Sequence, residues 1–496
     1  MFIGRSEELF KLREFAGSVS DKRRLFVLKG RRGIGKTSLL KEFLADNKGL
    51  YFCAYPTTDD DEEALLEAEF FAATKRRVFP EGEEKGKSLS ERFTRLLTLV
   101  EKEAGGSEFT LVIDDAPSLM RADSAFEDIL YDFVMERWSE TKISIIFSCD
   151  SFLSMDKVMG SEKGTRRWTK AYYGGMTLKP MSFYSVKDFL TGAATEEQVF
   201  LYGLSGGIPR ELEILAEEYS RDSIEPMIKR GVKALIFSNE AVGTLPEDIL
   251  EIDLREKSYY NRILATLAGG LSRVNEISAA VKKPKDIVVP YMNTLMNLDF
   301  VVKENPVTEP NNRRKTRYSI VNTFDLFWYR FVAPHMDYIY SGRIDEFIDE
   351  CVMPGIDSFI REVFVKICKE FVKGGGMGLP VTVNAVGNWW VNDDEKKTTA
   401  DFDLVCSGTT EDEKSSLIFG RCYIGENKPV DMASLKGLID LTKKVREKGE
   451  VDYYIAFSNN GFHDTAVTAA NAIKNIILIS MEDIVKQNIR NQTENL

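Results

Sequence analysis

Short, unbroken apolar runs alternate with helix-forming stretches over the first part of the chain. Leu25 to Leu28 is continuous and apolar, and Ser38 to Leu44 behind it has helix-forming composition. Phe109 to Ile113 and Ile143 to Phe147 are further runs of the first kind. Runs this short, bounded by polar and turn residues, predict strands buried on both faces, so residues 1 to 190 predict a three-layer α/β domain. The pattern then turns helical over residues 191 to 255, broken at Ser205-Gly206-Gly207-Ile208-Pro209-Arg210, where Pro209 suits the first turn of a helix running to Tyr219. From 256 to 335 the periodicity predicts helices over Tyr259 to Ala268, Val274 to Val281 and Lys285 to Leu298. Two strands follow, Phe300 to Lys303 and Thr316 to Ile320, around a loop with Arg313, Arg314, Lys315 and Arg317. That order is a winged helix. An aromatic helix, Phe324 to Val332, leads to a last α/β segment over 354 to 496. Its expected strands are Trp389 to Val391, Phe402 to Val405, Leu417 to Tyr423, Tyr453 to Phe457 and Ile476 to Ile479, with helices over 357–372, 431–448 and 463–473.

Composition narrows the class. At 496 residues and 43% hydrophobic, the chain has material for several packed cores. A net charge of −12 argues against coating nucleic acid, while leaving room for a local basic face. Cys53, Cys149, Cys351, Cys368, Cys406 and Cys422 form no C-x-x-C pair, and His335 and His463 are the sole histidines, so a structural zinc site is not expected. There is no apolar leader and no run of about 18 apolar residues. The expectation is a soluble, cytoplasmic protein with no membrane role.

The chemistry is concentrated at the end of the first strand. Gly30-Arg31-Arg32-Gly33-Ile34-Gly35-Lys36-Thr37 reads G-x-x-x-x-G-K-T, between a predicted strand and a predicted helix opening with Ser38. Glycines there let backbone N–H groups converge on phosphate oxygens, and the helix N-terminus adds partial positive charge. Lys36 is expected on the β- and γ-phosphates of ATP, and Thr37 on Mg²⁺. The strand Phe109 to Ile113 ends in Asp114-Asp115, with Asp114 expected to hold Mg²⁺ and Asp115 to orient or deprotonate the attacking water. Asp115 is one methylene shorter than a glutamate, which predicts slow hydrolysis. After the third strand, Asp150 and Ser151 either sense the γ-phosphate or cap the next helix. Arg166 and Arg167 are candidate arginine fingers for a neighbouring subunit, should the protein oligomerise.

The opening Phe2-Ile3-Gly4-Arg5-Ser6-Glu7-Glu8-Leu9, the phosphate loop, Asp114-Asp115 and Gly207-Ile208-Pro209 together resemble the archaeal-type ATPases of the signal-transducing (STAND) branch near AAA+. The resemblance implies that Gly4 and Arg5 lie near the adenine and Pro209 near the nucleotide in a helical lid. The C-terminal part is similar to a domain of unknown function fused to such ATPases and related to restriction-endonuclease-like nucleases. A nuclease of that kind needs an acid on one strand, Glu-x-Lys on the next and an acid on a preceding helix. Here Asp403 supplies the first acid, but Arg421 and Tyr423 stand at the Glu and Lys positions and Val365 at the helix position, with Glu426 and Lys428 displaced beyond the strand. The resulting expectation is an ATP-binding, Mg²⁺-dependent switch ATPase, with ATP and ADP as its ligands and a nuclease-like domain that does not cut. An ATP-gated DNA nuclease and a winged-helix DNA-binding regulator are the alternatives. Any DNA contact falls to the basic loop of the wing, or the wing instead packs domains or a protein partner.

Overall fold

A computed structural model describes residues 2–18, 23–53, 89–122, 124–150, 155, 159, 167–186, 189, 193–219, 226–237, 246–254, 257–376, 378–393, 398–424, 428–445 and 451–486. The chain divides into two compact units, one formed by Met1–Lys179 with Gly243–Arg255, the other by Pro180–Val242 with Glu256–Leu496.

The first unit is built on a parallel sheet of β1 (Leu25–Lys29), β2 (Gly49–Cys53), β3 (Phe109–Asp114), β4 (Ile143–Cys149) and β5 (Tyr172–Thr177), in the order β2-β3-β4-β1-β5. The interior strands β1, β3 and β4 are buried almost throughout, which is why their sequences are unbroken apolar runs. Leu25, Val27, Leu111, Ile113, Ile145 and Phe147 form one core with Trp138 and Trp168. The edge strands β2 and β5 carry glycine, tyrosine and half-exposed positions, so their patterning is weak. Because all five strands run the same way, the loops after β1, β3 and β4 emerge at one edge of the sheet. The phosphate loop, Asp114-Asp115 and Asp150 lie there.

The second unit opens with helices Thr195–Ser205, Pro209–Tyr219 and Met227–Phe237. Pro209 takes the first helical position, where its missing N–H costs nothing. Helices Lys257–Ala268, Val274–Val281 and Lys285–Asn297 are followed by an antiparallel hairpin of β6 (Val301–Glu304) and β7 (Arg317–Ile320). The aromatic stretch is helical over Thr323–Phe327 and continues as a π-type turn over Trp328–Val332. Helix Ile356–Lys373 buries Phe359, Val363, Phe364, Ile367 and Phe371 at helical spacing. A mixed sheet follows, β8 (Thr382–Asp393), β9 (Thr398–Thr409), β10 (Ser415–Tyr423), β11 (Val451–Ser458) and β12 (Ile476–Ser480), in the order β12-β11-β10-β9-β8. Its β8, β9 and β10 are antiparallel neighbours, while β10, β11 and β12 run parallel. All six cysteines are free thiols, and Cys149, Cys368, Cys406 and Cys422 are buried.

Candidate nucleotide site

The loop after β1 turns on Gly33 and Gly35, whose φ angles of 81° and 92° are those an L side chain rarely adopts. Helix Lys36–Asp46 starts directly behind Gly35, so its free N–H groups face the loop. Ile34 is buried and pins the loop to the core, Arg31 and Gly33 are half-buried, and Arg32, Thr37 and Ser38 are exposed. A Cβ on Gly30 would come within 2.9 Å of Ile34 Cγ2 and 3.3 Å of Leu178 Cβ, so a side chain there would force the buried Ile34 to shift.

Lys36 is 6% exposed and folded inward. Its Nζ donates to the carbonyls of Gly30 at 2.9 Å and Arg31 at 3.2 Å, and forms an ion pair with Asp150. Asp150 follows β4, the strand between β1 and β3, and so reaches Lys36 from the adjacent strand end. On the other side of β4, Asp114 ends β3. Its Oδ2 accepts the Thr37 hydroxyl at 2.8 Å and the Tyr51 hydroxyl at 2.6 Å, while Oδ1 accepts the Asp115 N–H at 3.1 Å. Asp115 has a left-handed backbone, φ 54°, and its Oδ2 accepts the Ser118 hydroxyl at 2.5 Å. Lys36, Thr37, Asp114, Asp115 and Asp150 are thus gathered at one sheet edge.

Gly4 and Arg5, with φ 69° and 63°, form a left-handed corner before helix Ser6–Gly17. The Arg5 guanidinium donates to Ile34 O at 3.2 Å and pairs with Glu8 at 2.9 Å, tying this corner to the phosphate-loop backbone. Pro209 belongs to the second unit. Ser151 and Arg166 lie outside the described residues, and Arg167 begins a short 3-10 turn, Arg167–Lys170.

Tyr51 was not singled out by the sequence reading. Burial, and then the Asp114 carboxylate, push its phenol far above its ordinary value, so it stays a donor to Asp114. The apolar run Leu50 to Cys53 behind the phosphate-loop helix is the signal that points to its strand. Burial pushes the Cys149 thiol up to about 12, which keeps it protonated and out of nucleophilic chemistry at neutral pH.

A cation that takes oxygen ligands and keeps much of its water finds a fitting donor pair in Thr37 Oγ1 and Asp114. Among the described residues no group of three or more His, Cys, Asp or Glu could hold a metal. Magnesium here would therefore draw its remaining ligands from phosphate and water.

In the second unit, both Asp403 oxygens accept from Arg361 Nη2, at 3.0 and 3.1 Å, and Oδ2 also accepts the Cys422 N–H at 2.8 Å. Arg421 and Tyr423 lie on β10, Val365 lies on helix Ile356–Lys373, and Glu426 is outside the described residues. The basic loop is less free than its sequence suggests. Lys315 is paired with Glu309, and Arg317 pairs with Asp401 at 3.5 Å while its guanidinium stacks 4.3 Å from the centre of the Trp390 ring. Of the loop's four cations only Arg313 and Arg314 stay exposed.

Residues 2–215 match the family described as an ATPase domain predominantly from Archaea, and residues 328–428 match a family of archaeal and bacterial proteins of unknown function. A Walker-type ATPase of Pyrococcus abyssi is similar in fold, with 21% identity, coverage of 66% of this chain and 96% of that one, and a TM-score of 0.51. An uncharacterised protein of Methanocaldococcus jannaschii is 26% identical over 409 residues, 80% of this chain and 86% of that protein. A STAND protein of Pyrococcus horikoshii with a tetratricopeptide-repeat sensor aligns at 15% identity over 75% of this chain and 50% of its own, with a TM-score of 0.29, too low to bear on the fold. The chain carries an archaeal-type P-loop ATPase domain followed by the domain of unknown function, and it is an ATPase. No helix among the described residues is long and apolar enough to cross a membrane.

Proposed function

We propose that ATP with Mg²⁺ binds at the edge formed by β1, β3 and β4, and that its slow turnover serves as a switch. The observation that carries this reading is the hydrogen bond from Thr37 to Asp114 at 2.8 Å, beside a loop whose lysine is buried and inward. Gly30, Arg31, Arg32, Gly33, Ile34, Gly35 and Ser38 frame the phosphates, Lys36 meets their outer oxygens, and Thr37 and Asp114 hold the cation, which offsets charge on the phosphates when bound. Asp115 acts on water. Its Ser118 bond and short side chain favour a low rate. Gly4 and Arg5 flank the base, and Pro209 belongs to the lid that answers to it. Lys36→Ala removes a charge that backbone amides cannot replace, so binding of a fluorescent ATP analogue and phosphate release should both fall by at least tenfold. Unchanged values would refute the assignment. Asp115→Asn should spare binding and lower turnover.

The C-terminal domain we read as nuclease-like and non-cleaving. The Arg361 guanidinium occupies both oxygens of Asp403, the one acid in place, and a cation beside Arg361 and Arg421 would meet positive charge. Plasmid incubated with the full chain, Mg²⁺ or Mn²⁺, with or without ATP, should stay intact. Cleavage lost in Asp403→Ala would promote the gated-nuclease reading.

A further inference from the structure

Strand β10 alternates faces at its end, with Cys422 buried and Arg421 and Tyr423 half-buried on the opposite face. Helix Met432–Val445 lies over that face, and the Tyr423 hydroxyl donates to Ser434 O at 3.0 Å. Between them is a cleft of about 300 Å³, lined by Arg361, Arg421, Tyr423, Ser434 and Gly437 among others. Among the described residues its charges do not balance. Asp403 is matched by Arg361 and the Cys422 N–H. Asp431 accepts the N–H and hydroxyl of Ser434, both at 2.9 Å, and these bonds hold its carboxyl below its usual range. Among the described residues Arg421 makes no hydrogen bond, ion pair or ring contact. A half-buried arginine that lines a cleft and has no bonded acceptor among the described residues has lost part of its hydration without a compensating bond. Its planar fork matches the oxygens of a phosphate.

We infer that this cleft binds a phosphate group, as a monoester or a diester, with Arg421 as its main ligand. The cleft has room for the phosphate together with part of its ester substituent. The inference is independent of the nucleotide reading, because it rests on residues of the other unit.

The test is site-resolved labelling of the full chain with phenylglyoxal in a phosphate-free buffer, mapped by peptide mass spectrometry. Inorganic phosphate should slow modification of Arg421 at least fivefold and leave Arg13 and Arg343 unaffected as internal references. A short DNA duplex that protects Arg421 at far lower phosphate concentration identifies a backbone diester as the source. Protection by inorganic phosphate or a small monoester, and none by the duplex, identifies a small ligand. Ser434→Glu, which puts a carboxylate in the cleft, should abolish protection while Arg421 still labels. Equal labelling of Arg421 with and without both probes overturns the proposal, as does protection that persists in Ser434→Glu.

Discussion

Lys36 answers to three acceptors at once, two loop carbonyls and the Asp150 carboxylate. Of these only Asp150 competes with a phosphate for charge. Asp150→Asn should therefore tighten ATP binding severalfold, measured by equilibrium titration, and an unchanged or weaker affinity would show that Asp150 helps hold the nucleotide. Tyr51 acts on the same site from β2. A hydrogen bond to a charged group contributes about 1.5–3 kcal/mol, and this one fixes the Asp114 carboxylate. Tyr51→Phe should raise the half-saturating Mg²⁺ for turnover about tenfold, with little change in the rate at saturating Mg²⁺. A fall in the saturated rate with unchanged Mg²⁺ dependence would assign Tyr51 to the chemistry instead. The phenol lies far above its ordinary value, so ionisation of Tyr51 should not shape the alkaline limb of the pH–rate profile.

At the level of elements, what the sequence announced and what it hid follow from burial. Strands β1, β3 and β4 were legible because both faces are covered, and the phosphate loop because its glycines and lysine obey a fixed spacing. Strand β5 was not, since an edge strand needs only half an apolar pattern, and the run Leu50 to Cys53 is short enough that Tyr51 was passed over with β2. Arg361 was equally hidden, because its bond to Asp403 joins a helix to a strand across 42 positions of sequence. Helix Ile356–Lys373 holds a further contact of that kind. Glu370 accepts the Tyr202 hydroxyl at 2.9 Å and the Phe183 N–H at 3.2 Å, linking this helix to Thr195–Ser205 and to the segment before it. Burial raises the Glu370 carboxyl, and the same burial lowers neighbouring Lys366. A carboxyl raised in the folded state contributes stability that is complete below its ordinary value of about 4.3 and is lost as pH rises through the raised one. Melting curves across that window should therefore fall less steeply with pH in Glu370→Gln than in the parent. Parallel curves would mean that Glu370 ionises without cost. Tyr202→Phe should destabilise by about 1.5–3 kcal/mol, because it strips a donor from a buried carboxylate.

Over the whole molecule the charge is −12, and of the four cations in the β6–β7 loop region only Arg313 and Arg314 remain exposed. Duplex binding through this loop should therefore show a log–log salt slope no steeper than about −1.8, two phosphates at about 0.9 each. A steeper slope that survives reversal of Arg313 and Arg314 would place the interface elsewhere. The path of the chain between the two units carries a different consequence. The first unit includes Gly243–Arg255, with Ile249, Leu250 and Leu254 buried, although the intervening Pro180–Val242 belongs to the second. On the ribosome, then, the phosphate loop emerges early but the unit around it stays incomplete until residue 255 has been made. At about 5–20 residues per second that is a wait of roughly ten seconds or more. For that interval the nascent chain presents an unfinished apolar surface. A gene cut after residue 190 would make the interval permanent.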